Sequence, residues 1–231
     1  MQRSNYVLAA RVSKPSEGLL DPEADAWGTC STEMFDLTGV SVEQQPSRYV
    51  RSIYAGERIG RVRQLAVQVA YDGDDVFFRL EWPDADENLR HEQYTYPDGA
   101  AVLVPLNGSA PLQTMGSPEE PVGVWYWRPD LDDQAEQLTA RGLGTVERRP
   151  RGSLQARSRW EDGRWQVVMR RAMSADASDS IDMKAATPAR VAFAIWAGSA
   201  GERAGIKSYS RVWRTLEWGP PASAGGSTDG S

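Results

Sequence analysis

Cysteine and histidine are nearly missing from this 231-residue chain, which has one of each, Cys30 and His91. A lone thiol cannot build an internal disulfide, a cysteine-based zinc site or an iron–sulfur cluster, and it rules out a haem held by two thioether bonds. A lone imidazole removes histidine-cluster metal sites and, with the scarcity of thiols, most Ser-His and Cys-His catalysis. Long apolar runs are also missing: no stretch approaches the roughly 18 uninterrupted apolar residues of a membrane-spanning helix. The opening residues, MQRSNYVLAARVSKPSEG, contain neither the apolar core of a secretory signal nor a twin arginine. The expectation from this is cytoplasmic residence, a signal already removed, or export attached to a partner. The net charge is -6, with acidic and basic residues interspersed, which argues against nucleic acid as the main partner.

Tryptophan, by contrast, is plentiful, with nine in the chain. Indoles are large core side chains, and they also line pockets for flat ligands; composition alone leaves both uses open.

The hydrophobic pattern has the short period of strands. LAVQVAYDGDDVFFRLEW, Leu65–Trp82, reads as a hairpin turning at Asp72-Gly73, and SRWEDGRWQVVMRRAM, Ser158–Met173, as a second turning at Asp162-Gly163. DGAAVLVPL, Asp98–Leu106, is a buried strand ended by Pro105, and VGVWYWR, Val122–Arg128, is another. Trp125 and Trp127 alternate with Tyr126 there and so share one face. Arg190–Ala197 and Tyr209–Trp218 complete the strand set. DLDDQAEQLTA, Asp130–Ala140, reads as the best helix, with acidic residues in its first turn. Short strands joined by Gly-containing turns predict an all-β fold, an antiparallel β-sandwich with a few short helices in its loops. The domain expectation is an extended N-terminal segment over 1–26, a sandwich over 27–218 and a disordered tail over 219–231.

Two residues stand out as chemistry. Met115 lies in the loop QTMGSPEEP just before the aromatic strand; a methionine is ordinarily core filler, but a Gly/Pro-rich loop offers little packing reason for one. Lys207 lies in AGERAGIKSYSRVW between two apolar strands, where a solvated lysine is the plain reading. His91, in the charged run ADENLRHEQY, reads as a surface residue.

The ordered set PDGAAVLVP, MG, PVGVWYWR, SRWEDGRWQVVMRR, RVAFAIWAG and ERAGIKSYSRVWRTLEW, between about Trp27 and Trp218, resembles the haem b (gamma) subunits of the ethylbenzene dehydrogenase, dimethylsulfide dehydrogenase, selenate reductase and chlorate reductase family of molybdenum enzymes. The resemblance implies a β-sandwich carrying one non-covalent haem b, with Met115 and Lys207 as axial iron ligands and Pro105, Trp125 and Trp127 near the haem. It also implies a non-catalytic electron-transfer role, relaying electrons between an iron–sulfur subunit and an external carrier such as a soluble cytochrome c. The partners would be that subunit and a molybdenum catalytic subunit, together a heterotrimer, with the molybdenum cofactor and iron–sulfur clusters confined to them. The implied compartment is the periplasm. Two other classes compete: a haem-free carbohydrate-binding sandwich stacking sugars on Trp125 and Trp127, and a hydrolase using Asp130 and Asp132 or Glu119 and Glu120.

Overall fold

The computed structural model describes residues 5–131, 134–174, 181–184 and 189–220. Both DG hairpins form where the sequence places them. Strands β4 (Gln64–Tyr71) and β5 (Asp75–Pro83) turn through Asp72 and Gly73, the latter at φ 99°. Strands β10 (Gln155–Glu161) and β11 (Arg164–Ala172) turn through Asp162 and Gly163, both at positive φ. Asp72 caps its own turn, its Oδ1 accepting from the backbone N–H groups of Asp74 and Asp75 at 2.8 Å.

The other strands are β1 (Tyr6–Arg11), β2 (Glu33–Asp36), β3 (Thr38–Gly39), β6 (Gly99–Pro105), β7 (Val122–Trp127), β8 (Ala135–Ala140), β9 (Glu147–Arg149), β12 (Ala189–Trp196), β13 (Ser208–Tyr209) and β14 (Arg214–Trp218). One layer runs β10-β11-β5-β4-β1-β14, the other β6-β7-β8-β9. The two are joined through β12, which pairs with β14 over Ala189–Val191 and with β6 over Ala192–Trp196. Helix is limited to short loop pieces, the longest being α1 (Arg48–Ile53).

The layers face each other across an apolar core. Trp125 and Trp127 project from β7 onto the opposing layer: Trp125 meets Phe78 edge-on at 5.5 Å, and Trp127 meets Trp82 at 5.9 Å and Trp165 at 4.9 Å. Burying each such ring contributes ~2–3 kcal/mol, and the edge-to-face geometry suits the ring quadrupoles.

Two elements differ from the sequence reading. The stretch expected to be a helix, 130–140, instead supplies β8, paired antiparallel with β7 from Val122↔Ala140 to Trp127↔Ala135. Ala135, Gln137 and Thr139 are buried while Glu136 and Leu138 are only partly so, a two-residue period. Cross-strand pairing therefore overrides the helix propensity of Ala, Glu, Gln and Leu. The second difference is β1, which is inserted parallel to both β14 and β4 in an otherwise antiparallel fold. Its Val7 and Ala9 are fully buried. Asp132 and residues 221–231 of the expected tail lie outside the described residues.

Candidate functional site

Met115 and Lys207 meet. Although 92 positions apart in sequence, their Nζ and Sδ atoms are 3.7 Å from each other. They meet over the outer face of the β6-β7-β12 layer, where Leu103, Val124, Ala192, Ala194 and Trp196 form a second apolar cluster under the loops.

Each residue is fixed by its loop. Pro105 ends β6 opposite Val122, and Leu106 N–H donates to Pro121 O at 3.0 Å, closing the base of the loop. A 3-10 turn, Leu112–Thr114, then delivers Met115 in the left-handed region at φ 57°. Its N–H donates to Leu112 O at 3.1 Å and its carbonyl accepts from Gly142 N–H at 3.1 Å. Gly116 follows at φ 85°, where a Cβ would lie 2.8 Å from Glu120 O. Glycine at 116 is thus a backbone requirement of this turn.

On the other side, the chain leaves β12 at Trp196 and is tied down by Glu202, 1% exposed. One Glu202 oxygen accepts from the N–H groups of Gly60 at 2.8 Å and Arg61 at 2.9 Å, the other from Ala197 N–H at 3.1 Å. Burial raises the pKa of this carboxyl, the three donors only partly offsetting it. Lys207 then precedes β13, which pairs with both β12 and β3, and its carbonyl accepts from Val40 N–H at 3.1 Å.

The surroundings of Lys207 do not suit an ammonium ion. The residue is 8% exposed, and among the described residues no carboxylate lies within ion-pair distance of it. Its Nζ has the Met115 thioether, a weak acceptor, on one side and the Trp196 ring, centred 5.2 Å away, on the other. Desolvation lowers its pKa from 10.5 to about 8. The solvated lysine of the plain reading is therefore replaced by a buried amine poised to lose its proton, beside a thioether that needs none. That pairing fits a soft or borderline transition metal such as iron. Among the described residues no three His, Cys, Asp or Glu side chains converge to hold a metal.

The remaining candidates lie elsewhere. Trp125 and Trp127, 1% and 0% exposed, sit in the core between the layers, on the opposite face of β7 from Met115. Tyr126, Trp196, Tyr209 and Trp213 are the aromatic residues packed on the Met115 side. Trp196 is fixed by its indole N–H, which donates to Ala204 O at 3.0 Å, and by edge-on contact with Tyr126 at 5.1 Å. Sequence reading missed it, although RVAFAIWA puts Trp196 in phase with Ala192 and Ala194. Pro105 is buried at the root of the Met115 loop. His91 is exposed and stacks on Tyr96 at 4.8 Å. Asp130 pairs with Arg128, and Glu119 is exposed.

The profile of the ethylbenzene dehydrogenase family matches residues 35–150 and 133–208. A protein of Haloferax mediterranei named as a respiratory nitrate reductase haem subunit is 40% identical over 162 residues, 69% of this chain and 57% of its own length. The chlorate reductase subunit gamma of Ideonella dechloratans is 34% identical, covering 68% and 65%. The dimethylsulfide dehydrogenase subunit gamma of Rhodovulum sulfidophilum is 30% identical, covering 69% and 62%. The matched part spans under two thirds of each relative. A solved structure from Bacteroides uniformis, named for carbohydrate binding, superposes with a TM-score of 0.54 at 8% identity over 93% of this chain and 99% of its own. That likeness concerns the fold alone.

Proposed function

Because the chain belongs to the ethylbenzene dehydrogenase family, we propose that it is the electron-transfer subunit of a molybdenum oxidoreductase, binding one non-covalent b-type haem between Met115 and Lys207. The observation that carries this reading is the 3.7 Å approach of a buried lysine, with no ion-pair partner among the described residues, to a loop methionine. Bound there, a haem would be held by Met115 and Lys207 and would supply reversible one-electron storage. Met115 would donate its thioether as it stands. Lys207 would donate its Nζ lone pair after losing a proton, which its burial favours. The loops of Pro105–Pro121 and Ala197–Lys207 would exclude water. On the same reading the partners are an iron–sulfur and a molybdenum subunit, with a soluble cytochrome c as external carrier, and the compartment is the periplasm. The carbohydrate-binding alternative loses its sugar platform, since Trp125 and Trp127 offer no exposed face.

The test is optical. Protein purified after haem-supplied expression should give a low-spin b-type spectrum, oxidised and dithionite-reduced. Met115→Ala and Lys207→Ala should each turn it high-spin or abolish binding. A Soret band indifferent to both changes would overturn the ligand assignment, and no band at all would overturn the function.

A further inference from the structure

The overall charge balance hides a local excess. Residues 48–63, RYVRSIYAGERIGRVR, hold five arginines and one glutamate in a chain of net charge -6. Helix α1 within it buries none of its residues. Tyr49 and Ile53, one helical turn apart, are 72% and 45% exposed. Arg48, Arg58 and Arg61 are exposed, and among the described residues no carboxylate lies within ion-pair distance of any of them. Arg51, by contrast, is used internally, its guanidinium donating to Gln45 O and Pro46 O.

This segment is fastened to the loop that carries Lys207. Tyr54 Oη donates to Gly201 O at 2.7 Å, the Gly60 and Arg61 N–H groups bind Glu202, and Gln45, just before α1, lines the same cleft as Met115 and Lys207. The positive charge is therefore carried by a segment tied to the loop that holds Lys207.

We propose that Arg48, Arg58 and Arg61, with Tyr49 and Ile53, form the docking surface for an acidic protein that exchanges electrons at the Met115–Lys207 site; the electron-exchange part rests on the function proposed above. Exposed arginine and tyrosine are the residue types that protein interfaces favour. Complementary charge gives fast, salt-sensitive encounter, which suits a transient redox partner. A polyanion such as DNA would meet the same arginines, so a DNA duplex is the comparison that decides between the two.

The test uses the full chain as wild type, as R48E/R58E/R61E and as R48K/R58K/R61K, each checked for an unchanged far-UV spectrum and Tm. The first measurement needs no haem: calorimetric binding of an acidic plant-type [2Fe–2S] ferredoxin as probe, at ~0.02 M and ~0.3 M ionic strength, with a short DNA duplex as comparison. Wild type and the lysine variant should bind ferredoxin at low salt and release it at high salt, and the glutamate variant should bind about tenfold more weakly or worse. The second uses haem-loaded protein. Charge reversal should slow oxidation by anionic hexacyanoferrate(III) and leave or speed that by cationic tris(phenanthroline)cobalt(III). Equal ferredoxin binding by wild type and the glutamate variant, or tighter binding to DNA than to ferredoxin, would overturn the proposal. A chain that takes up no haem yet shows the charge-dependent ferredoxin binding would leave the docking surface standing and remove the electron-transfer role.

Discussion

Replacing Lys207 with methionine should stabilise the haem-free fold. The lysine is 8% exposed and has no ion-pair partner among the described residues, and burial lowers its pKa from 10.5 to about 8. At 1.36 kcal/mol per pKa unit, holding the ammonium in that site costs about 3 kcal/mol at neutral pH. Methionine has a similar length and volume, carries no charge and can pack against Met115 and Trp196. For a domain of this size 1 kcal/mol shifts Tm by about 2–4 °C, so the variant should melt about 6–12 °C higher at pH 7. The pH dependence is specific. The folded pKa lies below the unfolded one, so the penalty is complete below about pH 8, shrinks as the folded amine loses its proton, and is gone near pH 10.5. Thermal unfolding of haem-free wild type and Lys207→Met between pH 6 and 10.5 measures the gap directly. A variant less stable than wild type, or a gap that persists at the alkaline end, would refute the reasoning and make Lys207 a structural residue.

Two further outcomes follow from buried carboxylates. Asp84 is 8% exposed, one of its oxygens has no hydrogen-bond partner among the described residues, and burial together with the charge of Asp98 pushes its pKa up to about 7. Because this acid's folded pKa is raised, its ionisation costs stability progressively from about pH 4 to 7, so Asp84→Asn should be more stable than wild type by about 2–4 kcal/mol at pH 8 and near parity at pH 4, as read by urea unfolding. A gain independent of pH would count against it. Glu202→Ala would leave the N–H groups of Gly60, Arg61 and Ala197 without their acceptor, at about 1–3 kcal/mol each where water cannot reach them. Hydrogen exchange at those amides should accelerate well beyond the global change; unchanged protection would show that Glu202 does not hold the Lys207 loop.

The parts of this fold legible in the sequence are those written in local chemistry. Asp72-Gly73 and Asp162-Gly163 can supply the tight turns of hairpins, and they do. The alternation VWYW tells that Trp125 and Trp127 share a face, and they do, but not which layer that face meets; that depends on Phe78, Trp82 and Trp165, distant in sequence. The stretch 135–140 has good helix formers, and only its neighbour β7 makes it a strand. β1 is short and owes its place to two parallel partners, β4 and β14, that no local signal names. At the site, family resemblance picked out Met115 and Lys207, yet nothing in AGERAGIKS says that the lysine is buried or that Glu202 pins its loop from Gly60 and Arg61. Burial is a property of the assembled surface.

The geometry also sets how a flat cofactor can enter. Nζ and Sδ already stand 3.7 Å apart, within reach of a single ion that both would hold. The cleft between them, however, encloses only about 30 Å³, about the space of one water, so the ring demands far more movement than the iron does. The strands beneath cannot supply it, because β6, β7 and β12 are paired along their lengths and buried. The loops can. The Met115 loop is held to the next loop through the Gly142 N–H to Met115 O bond. The Lys207 loop is held more firmly, by the Glu202 contacts, Val40 N–H to Lys207 O and Tyr54 Oη to Gly201 O, so opening from the outside falls to the Met115 side. On the proposed function, a haem would enter by loop opening over this paired sheet, and selectivity would lie in what the two donors accept.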